Sequence, residues 1–318
     1  MKKNSFVYTH PNISKIYGIC GPTRSGKIIA CKIISSFKNF EKINLDPLWE
    51  QANLLFGLRK INQEAAIYLL RRGFSVLSYN LSLGRELNFR KKDYTSIYNY
   101  RNPSLYLKRA KFQKEGDQVF NKKIIKKMNI PIMIHWGIVY SKLLFKSFPN
   151  IKLIRMVKNP VEIVFSWLNK NYGGSFYSNP RANTLTIKYL NQLLPFQAYG
   201  WEKKYLKLSK VNRVASIIIK YQKLENKIYN SLSEKQKKSI CIVNFDNLCQ
   251  NPLSEVSKLE FFLKAKKTNF TKKILKNEHL PRKKNKNQIF EKKKYLKRVL
   301  NKKIFEDLIN LENKFLNN

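Results

Sequence analysis

Residues 20–30 read CGPTRSGKIIA, with Gly21 and Gly26 five positions apart and Lys27 directly after. Glycines at this spacing let the backbone curl, and a lysine behind them brings positive charge to the first turn of a helix. Together they make a loop suited to cradle a phosphate. Arg24 adds a second cation. Position 28, where magnesium-dependent nucleotide enzymes carry a Ser or Thr, is Ile28, which has no atom to offer a metal. Either nucleotide chemistry is lost, or the loop holds a phosphate ligand that needs no magnesium. A second cationic turn, Lys158-Asn159-Pro160, is followed by Ser166, eight residues after Lys158. His135 closes the apolar run IPIMIH (130–135), and histidine is the side chain whose ordinary pKa suits proton removal near neutral pH. Glu86 and Asp93, in NLSLGRELNFRKKD (80–93), are alternative bases. Asn80, Arg85, Asn88 and Arg90 in that stretch could meet an acceptor rich in oxygen atoms, such as a sugar.

The elements that must position these residues follow from the apolar patterns. KIYGIC (15–20), FSVLSY (74–79), IPIMIH (130–135), KLIRMV (152–157) and SICIVNF (239–245) are expected to be strands. Helices are expected over 26–37, with Ile29, Ile33, Ile34 and Phe37 on one side, and over 60–72, closed by Gly73. Others are expected over 138–147, over 160–170 with Pro160 in its first turn, over 252–263, and over 298–316. Strands separated by helices imply an α/β fold, a parallel sheet with helices on both faces. Ligands of such sheets bind beyond the carboxyl ends of the strands, where the first loop falls and where His135 and Lys158 also fall. No repeat or linker divides the chain, so residues 1–318 are expected to form a single domain, with the Lys/Asn-rich stretch 264–298 as its mobile segment.

Of the 318 residues, 63 are Lys or Arg against 20 Asp or Glu, a formal charge of +43. Such a surface attracts anions. Lys, Asn and Ile are all abundant, however, as in a genome rich in A and T, and the lysines are spread along the chain, densest at 282–298. No helix-turn-helix, zinc or RNA-recognition signature accompanies the charge, so no specific nucleic-acid partner is expected. Four cysteines form no C-x-x-C pair. Cys20 and Cys241 fall in expected strands, as buried thiols of a reducing compartment rather than a disulfide frame or zinc site. Lys2 and Lys3 are not followed by a signal-peptide core, and no run approaches the roughly 18 apolar residues of a membrane span. A cytoplasmic protein is expected. The aromatics Phe165, Trp167, Tyr172, Phe176, Tyr177, Phe196, Tyr199, Trp201 and Tyr205 are expected to be mostly core, some of them a platform for a sugar ring.

IKLIRMVKNPVEIVFSWLNK (151–170) resembles the 3′-phosphate-binding motif of the sulfotransferase family. That pattern is Arg, then Asn or Asp, then Pro, with a Ser eight residues after the Arg. Lys158 stands for the Arg, which keeps the charge and loses the two-pronged geometry. The first loop is similar to the family's 5′-phosphosulfate loop, whose core is Lys or Arg followed by Ser-Gly, matched by Arg24, Ser25 and Gly26. IVNFDNLCQNPLSEVSKLEFFL (242–263) looks like the family's strand, acidic loop and helix with a Pro and a closing Phe-Leu. The resemblance spans roughly residues 15–263 and implies a P-loop, nucleotide-kinase-like architecture. It implies 3′-phosphoadenosine 5′-phosphosulfate as donor, cradled without a required metal by Thr23, Arg24, Ser25, Gly26, Lys27, Ile28, Lys158 and Ser166. Lys27 and Ile28 replace the hydroxyl residues the family often has there. His135 is similar to the catalytic histidine of cytosolic sulfotransferases, whose preceding Lys is replaced here by Met133. LPRKKNK (280–286) resembles the basic loop that closes over the 3′-phosphate. The acceptor implied is a hydroxyl group, a carbohydrate or anionic glycan among the candidates. Two other readings stay open. A P-loop small-molecule kinase using ATP accounts for Gly21 to Lys27 but not for Ile28, and a basic nucleic-acid-binding protein accounts for the charge alone.

Overall fold

Alternation along the first apolar run sets the architecture. In β1 (Lys15–Gly21), Ile16 and Cys20 join one core cluster and Tyr17 and Ile19 another, and all four are buried. A strand buried on both faces belongs in a parallel sheet covered by helices. The computed structural model of the chain describes residues 15–45, 47–112, 128–172, 185–283 and 286–316. Within them, β1 pairs in parallel with β2 (Asn129–His135) on one side and β3 (Lys152–Val157) on the other. With β6 (Ile240–Asn244) beyond β3, the order is β2-β1-β3-β6. A separate antiparallel hairpin joins β4 (Thr186–Tyr189) and β5 (Gln192–Pro195).

On one face lie α2 (Pro47–Gly57), α3 (Gln63–Leu83) and α5 (Ser141–Ser147), which bring Trp49, Leu70, Phe74 and Leu144 against Ile16, Ile132 and Leu153. On the other lie α1 (Lys27–Ser35), α11 (Pro252–Leu263) and α12 (Asn269–Asn277), with Ile33, Leu259 and Ile274 against Ile19 and Ile154. A third cluster gathers α6 (Pro160–Asn169), α8 (Lys210–Asn230), α13 (Lys286–Val299) and α14 (Lys302–Leu316) around Trp167, Ile217, Leu296 and Leu308. Full burial of one such side chain is worth about 1.5–3 kcal/mol, so these clusters outweigh anything the exposed charges contribute. The short helices α4 (Pro103–Ala110), α7 (Glu202–Leu206), α9 (Glu234–Lys238) and α10 (Phe245–Gln250) complete the described chain.

The expected α/β class, with a parallel sheet and helices on both faces, is the one adopted. One expected strand is not a strand: FSVLSY (74–79) is the second half of α3, which runs unbroken through Gly73. Ala66, Leu70, Phe74 and Leu81 are buried in one cluster at helical spacing, and that face overrides the β-branched and aromatic composition of 74–79. The cap lies at Gly84, left-handed at φ 66°, rather than at Gly73. The stretch 264–298 carries α12 and α13.

The topology makes one crevice. The helix after β1 packs on one face of the sheet, and the helix between β2 and β3 packs on the opposite face. Connections therefore diverge at the carboxyl ends of the neighbouring strands β1 and β2, the place where open parallel sheets bind ligands. Gly21 ends β1, His135 ends β2 opposite Gly21 in register, and Lys158 follows the last residue of β3. Among the described residues, no helix is long and apolar enough to cross a membrane.

Candidate active site

The first loop turns tightly between β1 and α1. The Ser25 N–H donates to the Pro22 carbonyl at 3.2 Å, and Arg24 and Gly26 are left-handed at φ 73° and 92°. Gly26 is needed twice over, because a Cβ there would also lie 2.1 Å from the ring of Phe245, the first residue of α10. The Ser25 hydroxyl is fully buried and has no hydrogen-bond partner among the described residues. Lys27 is turned into its own loop, its ammonium donating to the Gly21 carbonyl at 2.8 Å and the Pro22 carbonyl at 2.7 Å. Burial lowers its pKa to about 8, with Glu50 opposing the shift. Two carbonyl dipoles are a weak counter-charge for an ammonium, and a phosphate oxygen would be a stronger one. Ile28, half-exposed on the first turn of α1, presents only hydrocarbon. The Thr23 carbonyl accepts from the indole N–H of Trp167 at 2.9 Å, which ties the loop to α6.

The second turn meets the first. Asn159 caps α6 by accepting from the Val161 N–H at 2.9 Å, and its amide donates to Glu312 of α14 at 2.8 Å. Ser166, on the second turn of α6, accepts from Arg24 Nε at 2.9 Å across 142 residues of sequence. Lys158 pairs with Glu162 at 3.6 Å and lies over the face of Phe245 at 4.5 Å. Burial depresses the Lys158 pKa. Glu162 and Asp246 oppose that shift, while Lys292 and Arg24 add to it as like charges. Lys292, from α13, pairs with Glu162 at 3.3 Å and lies over Phe165 at 5.7 Å. Arg24, Lys158 and Lys292 thus surround Ser166 and Glu162 on α6.

His135 sits at the opposite wall. Glu50, from α2, accepts from the His135 backbone N–H at 2.8 Å and lies 3.0 Å from its Nδ1, both through Oε1. A carboxylate only accepts, so Nδ1 carries a proton, and in the neutral ring Nε2 is the nitrogen with the lone pair. The rival carboxylates are held elsewhere. Glu86 accepts from Asn80 at 2.8 Å beyond the end of α3. Asp93 accepts from the Thr95 N–H and hydroxyl, each at 3.0 Å, bonds that lower its pKa and make it a poorer base. Asn88 donates to Thr95, and Arg85 lies over Tyr79. Among the described residues, neither Glu86 nor Asp93 bonds to the two phosphate motifs.

The structure therefore brings Thr23, Arg24, Ser25, Gly26 and Lys27 together with Lys158 and Ser166, and sets His135 beside Gly21. Glu50, Glu162, Phe245 and Lys292 escaped the sequence patterns. Glu162 and Phe245 had a local cue, standing in the second and third family-like stretches. Of the aromatics, Trp167, Phe196 and Tyr205 are buried, Tyr199 is exposed, and Phe176 and Tyr177 lie outside the described residues. In 280–286, the Arg282 guanidinium donates to the Glu278 carbonyl, while Lys284 and Asn285 lie outside the described residues. Among the described residues, no three His, Cys, Asp or Glu side chains are grouped as metal ligands.

No protein-family model matches the chain, and no curated protein matches it. Among solved structures it is similar to a sulfotransferase from Mycobacterium avium, at TM-score 0.43 and 11% identity, over 90% of this chain and 77% of that one. It is similar at TM-score 0.42 and 11% identity to the sulfotransferase domain from the curacin biosynthetic pathway, over 82% of this chain and 77% of that one. For a sulfotransferase from Alicyclobacillus acidocaldarius the values are 0.38 and 11%, over 96% and 97%. Overlaps this loose carry no weight for function, which has to be argued from the residues of the crevice.

Proposed function

We propose that the chain is a sulfotransferase that moves a sulfuryl group from 3′-phosphoadenosine 5′-phosphosulfate to a hydroxyl acceptor. The observation that carries this reading is the contact of Arg24 with Ser166, which joins two phosphate motifs in one crevice. A ligand spanning both needs phosphate at two separate places. A nucleoside with 5′ and 3′ phosphates has them, whereas ATP extends only from the 5′ position. The residues fit such a donor: a left-handed glycine opens α1, a cation stands on each side, and among the described residues the loop's own lysine donates to two carbonyls.

Bound there, the donor supplies the sulfuryl group. Arg24 and Lys27 hold the 5′ side and balance the charge that builds on the leaving phosphate. Lys158 and Ser166 hold the 3′-phosphate, and Ile28 supplies no metal ligand. His135 Nε2 takes the proton of the acceptor hydroxyl, with Glu50 fixing the ring through Nδ1. For a carbohydrate acceptor, the open depression lined by Phe56, Gly57, Arg59, Lys60, Ile61 and Asn62, at the end of the helix that carries Glu50, offers a resting surface. Lys60 there lies 5.9 Å from the ring of the exposed Tyr199, and cations beside an aromatic ring suit an anionic sugar. The four cysteines are free, three of them buried, which suits the cytoplasm. Residues 1–318 are read as one domain.

Ligand preference tests the assignment. A charge-assisted phosphate contact is worth roughly 1.5–3 kcal/mol, about tenfold to a hundredfold in affinity. Adenosine 3′,5′-bisphosphate should therefore raise the melting temperature well above the effect of ATP or AMP at equal concentration. Replacing Lys158 and Ser166 together by Ala should erase most of that preference. A protein that instead favours ATP with magnesium is a small-molecule kinase.

A further inference from the structure

Glu162 stands third in α6, after the cap Asn159 and Pro160. An acidic side chain at that place commonly turns back to the N–H of the cap residue. Here it pairs with Lys158, just before the cap, at 3.6 Å and with Lys292 of α13 at 3.3 Å. The group is largely withdrawn from water: the side chains of Lys158 and Glu162 are each 15% exposed and that of Lys292 22%. Arg24 is close enough to depress the Lys158 pKa, and it reaches Ser166 one helical turn beyond Glu162. Asp246 is a further, weaker attractive charge on Lys158. Glu162 is the carboxylate that pairs with both Lys158 and Lys292. To an ammonium, a carboxylate oxygen and a phosphate oxygen are the same kind of partner.

We propose that Glu162 is a resident counter-anion of the 3′-phosphate pocket, holding Lys158 and Lys292 in the place a phosphate takes, and that Lys292 is the pocket's third cation. This rests on the reading of the crevice as a site for a nucleoside 3′,5′-bisphosphate. Lys158 and Lys292 meet at one carboxylate with little exposure to water, and the exposed Arg24 adds a like charge beside them, so the two lysines need an anion between them. Glu162 supplies one before a ligand binds. An incoming phosphate, with more charge and more acceptor oxygens, displaces it, and the side chain swings to the solvent edge of α6. The site is thus biased against weak anions, because a ligand must outcompete Glu162 at two lysines together.

Titration calorimetry on the full chain separates this from a purely structural ion pair. The ligands are adenosine 3′,5′-bisphosphate, AMP and inorganic sulfate, and the proteins are the unmodified chain, Glu162→Gln and Lys292→Gln. Removing the competing charge should tighten bisphosphate binding by about tenfold in Glu162→Gln, the fold-change of one desolvated charge contact. AMP affinity should stay unchanged. Lys292→Gln should weaken the bisphosphate by about the same factor. In anion-free buffer Glu162→Gln should melt below the unmodified chain, and sulfate should restore it. Should that variant fail to fold, Glu162→Asp, with its shorter reach, should show the same gain at smaller size. Bisphosphate affinity in Glu162→Gln that is unchanged, or weakened as in Lys292→Gln, would make Glu162 a scaffold and overturn the proposal. An unmodified chain that does not prefer the bisphosphate over AMP sinks the nucleotide reading instead. A gain in sulfate affinity in Glu162→Gln would still uphold the counter-anion.

Discussion

At the scale of the residue, Glu50 grips His135 at two points through a single oxygen, the backbone N–H and Nδ1. That is the geometry of a positioning residue: it fixes which nitrogen bears the proton and where the other one points. Removing a general base typically costs on the order of 10²–10⁴-fold in rate, and His135→Ala should fall in that range with donor affinity intact. Glu50→Ala should lower kcat by a smaller factor, again with the donor Kd unchanged, and Glu50→Gln should recover part of the loss because its amide oxygen can still accept. Loss of donor affinity in Glu50→Ala would mean that it merely supports the fold, and near-normal turnover in His135→Ala would remove that residue as base. His135 could be read from sequence because it closes an apolar strand. Glu50 could not, since the 85 positions between them leave no periodic trace and an acidic residue in a helix ordinarily looks solvated. Lys292 was hidden for the opposite reason, as one lysine in a run of them.

At the scale of the element, the proposed phosphate pocket hangs on the start of α6. Asn159 accepts from Val161 N–H as cap and donates to Glu312, 1% exposed, so one side chain joins the end of β3 to the last helix of the chain. Lys293 of α13 holds the other oxygen of Glu312 at 2.7 Å. Losing a cap costs about 1 kcal/mol, and leaving a buried carboxylate short of a donor adds about 1–3 kcal/mol. Asn159→Ala should therefore destabilise by roughly 2–4 kcal/mol in urea unfolding, the sum of those two effects. Asn159→Asp keeps the cap acceptor but faces Glu312 with a second carboxylate, so it should be no more stable than the Ala variant. If Asn159→Asp unfolds like the unmodified chain, the tie to α14 contributes nothing. The strands of the parallel sheet were legible, whereas the 21-residue α8, the helices carried by 264–298 and the β4–β5 hairpin were not. β1, β2, β3 and β6 fall where apolar runs end in glycine or polar turns, and α6 opens at its proline. The segment 74–79 was misread because a short run of Phe, Val, Leu and Tyr fits a strand and a buried helix equally well. Only the continuation of one apolar face from Ala66 to Leu81, past a buried glycine, separates them.

At the scale of the whole molecule, sequence order foretold a parallel sheet but not its strand order, because the adjacency of β1 to both β2 and β3 is decided by how the intervening helices pack. Charge is the other property that belongs to the whole chain. With a formal +43, the surface must draw polyanions whatever the crevice does. The two kinds of binding differ in their response to salt. Duplex DNA contacted at six to ten phosphates loses about 10³–10⁵-fold in affinity between about 50 and 200 mM salt. A bisphosphate in the crevice engages a few partly buried cations, which mobile ions screen far less. Affinity for unrelated DNA sequences should therefore collapse across that range, equally for each sequence, while affinity for adenosine 3′,5′-bisphosphate declines only modestly. Sequence-selective DNA binding that survives at about 200 mM salt, in a protein indifferent to the bisphosphate, would make the chain a nucleic-acid-binding protein. Its charge would then be the site, and the meeting of Arg24 with Ser166 a detail of packing.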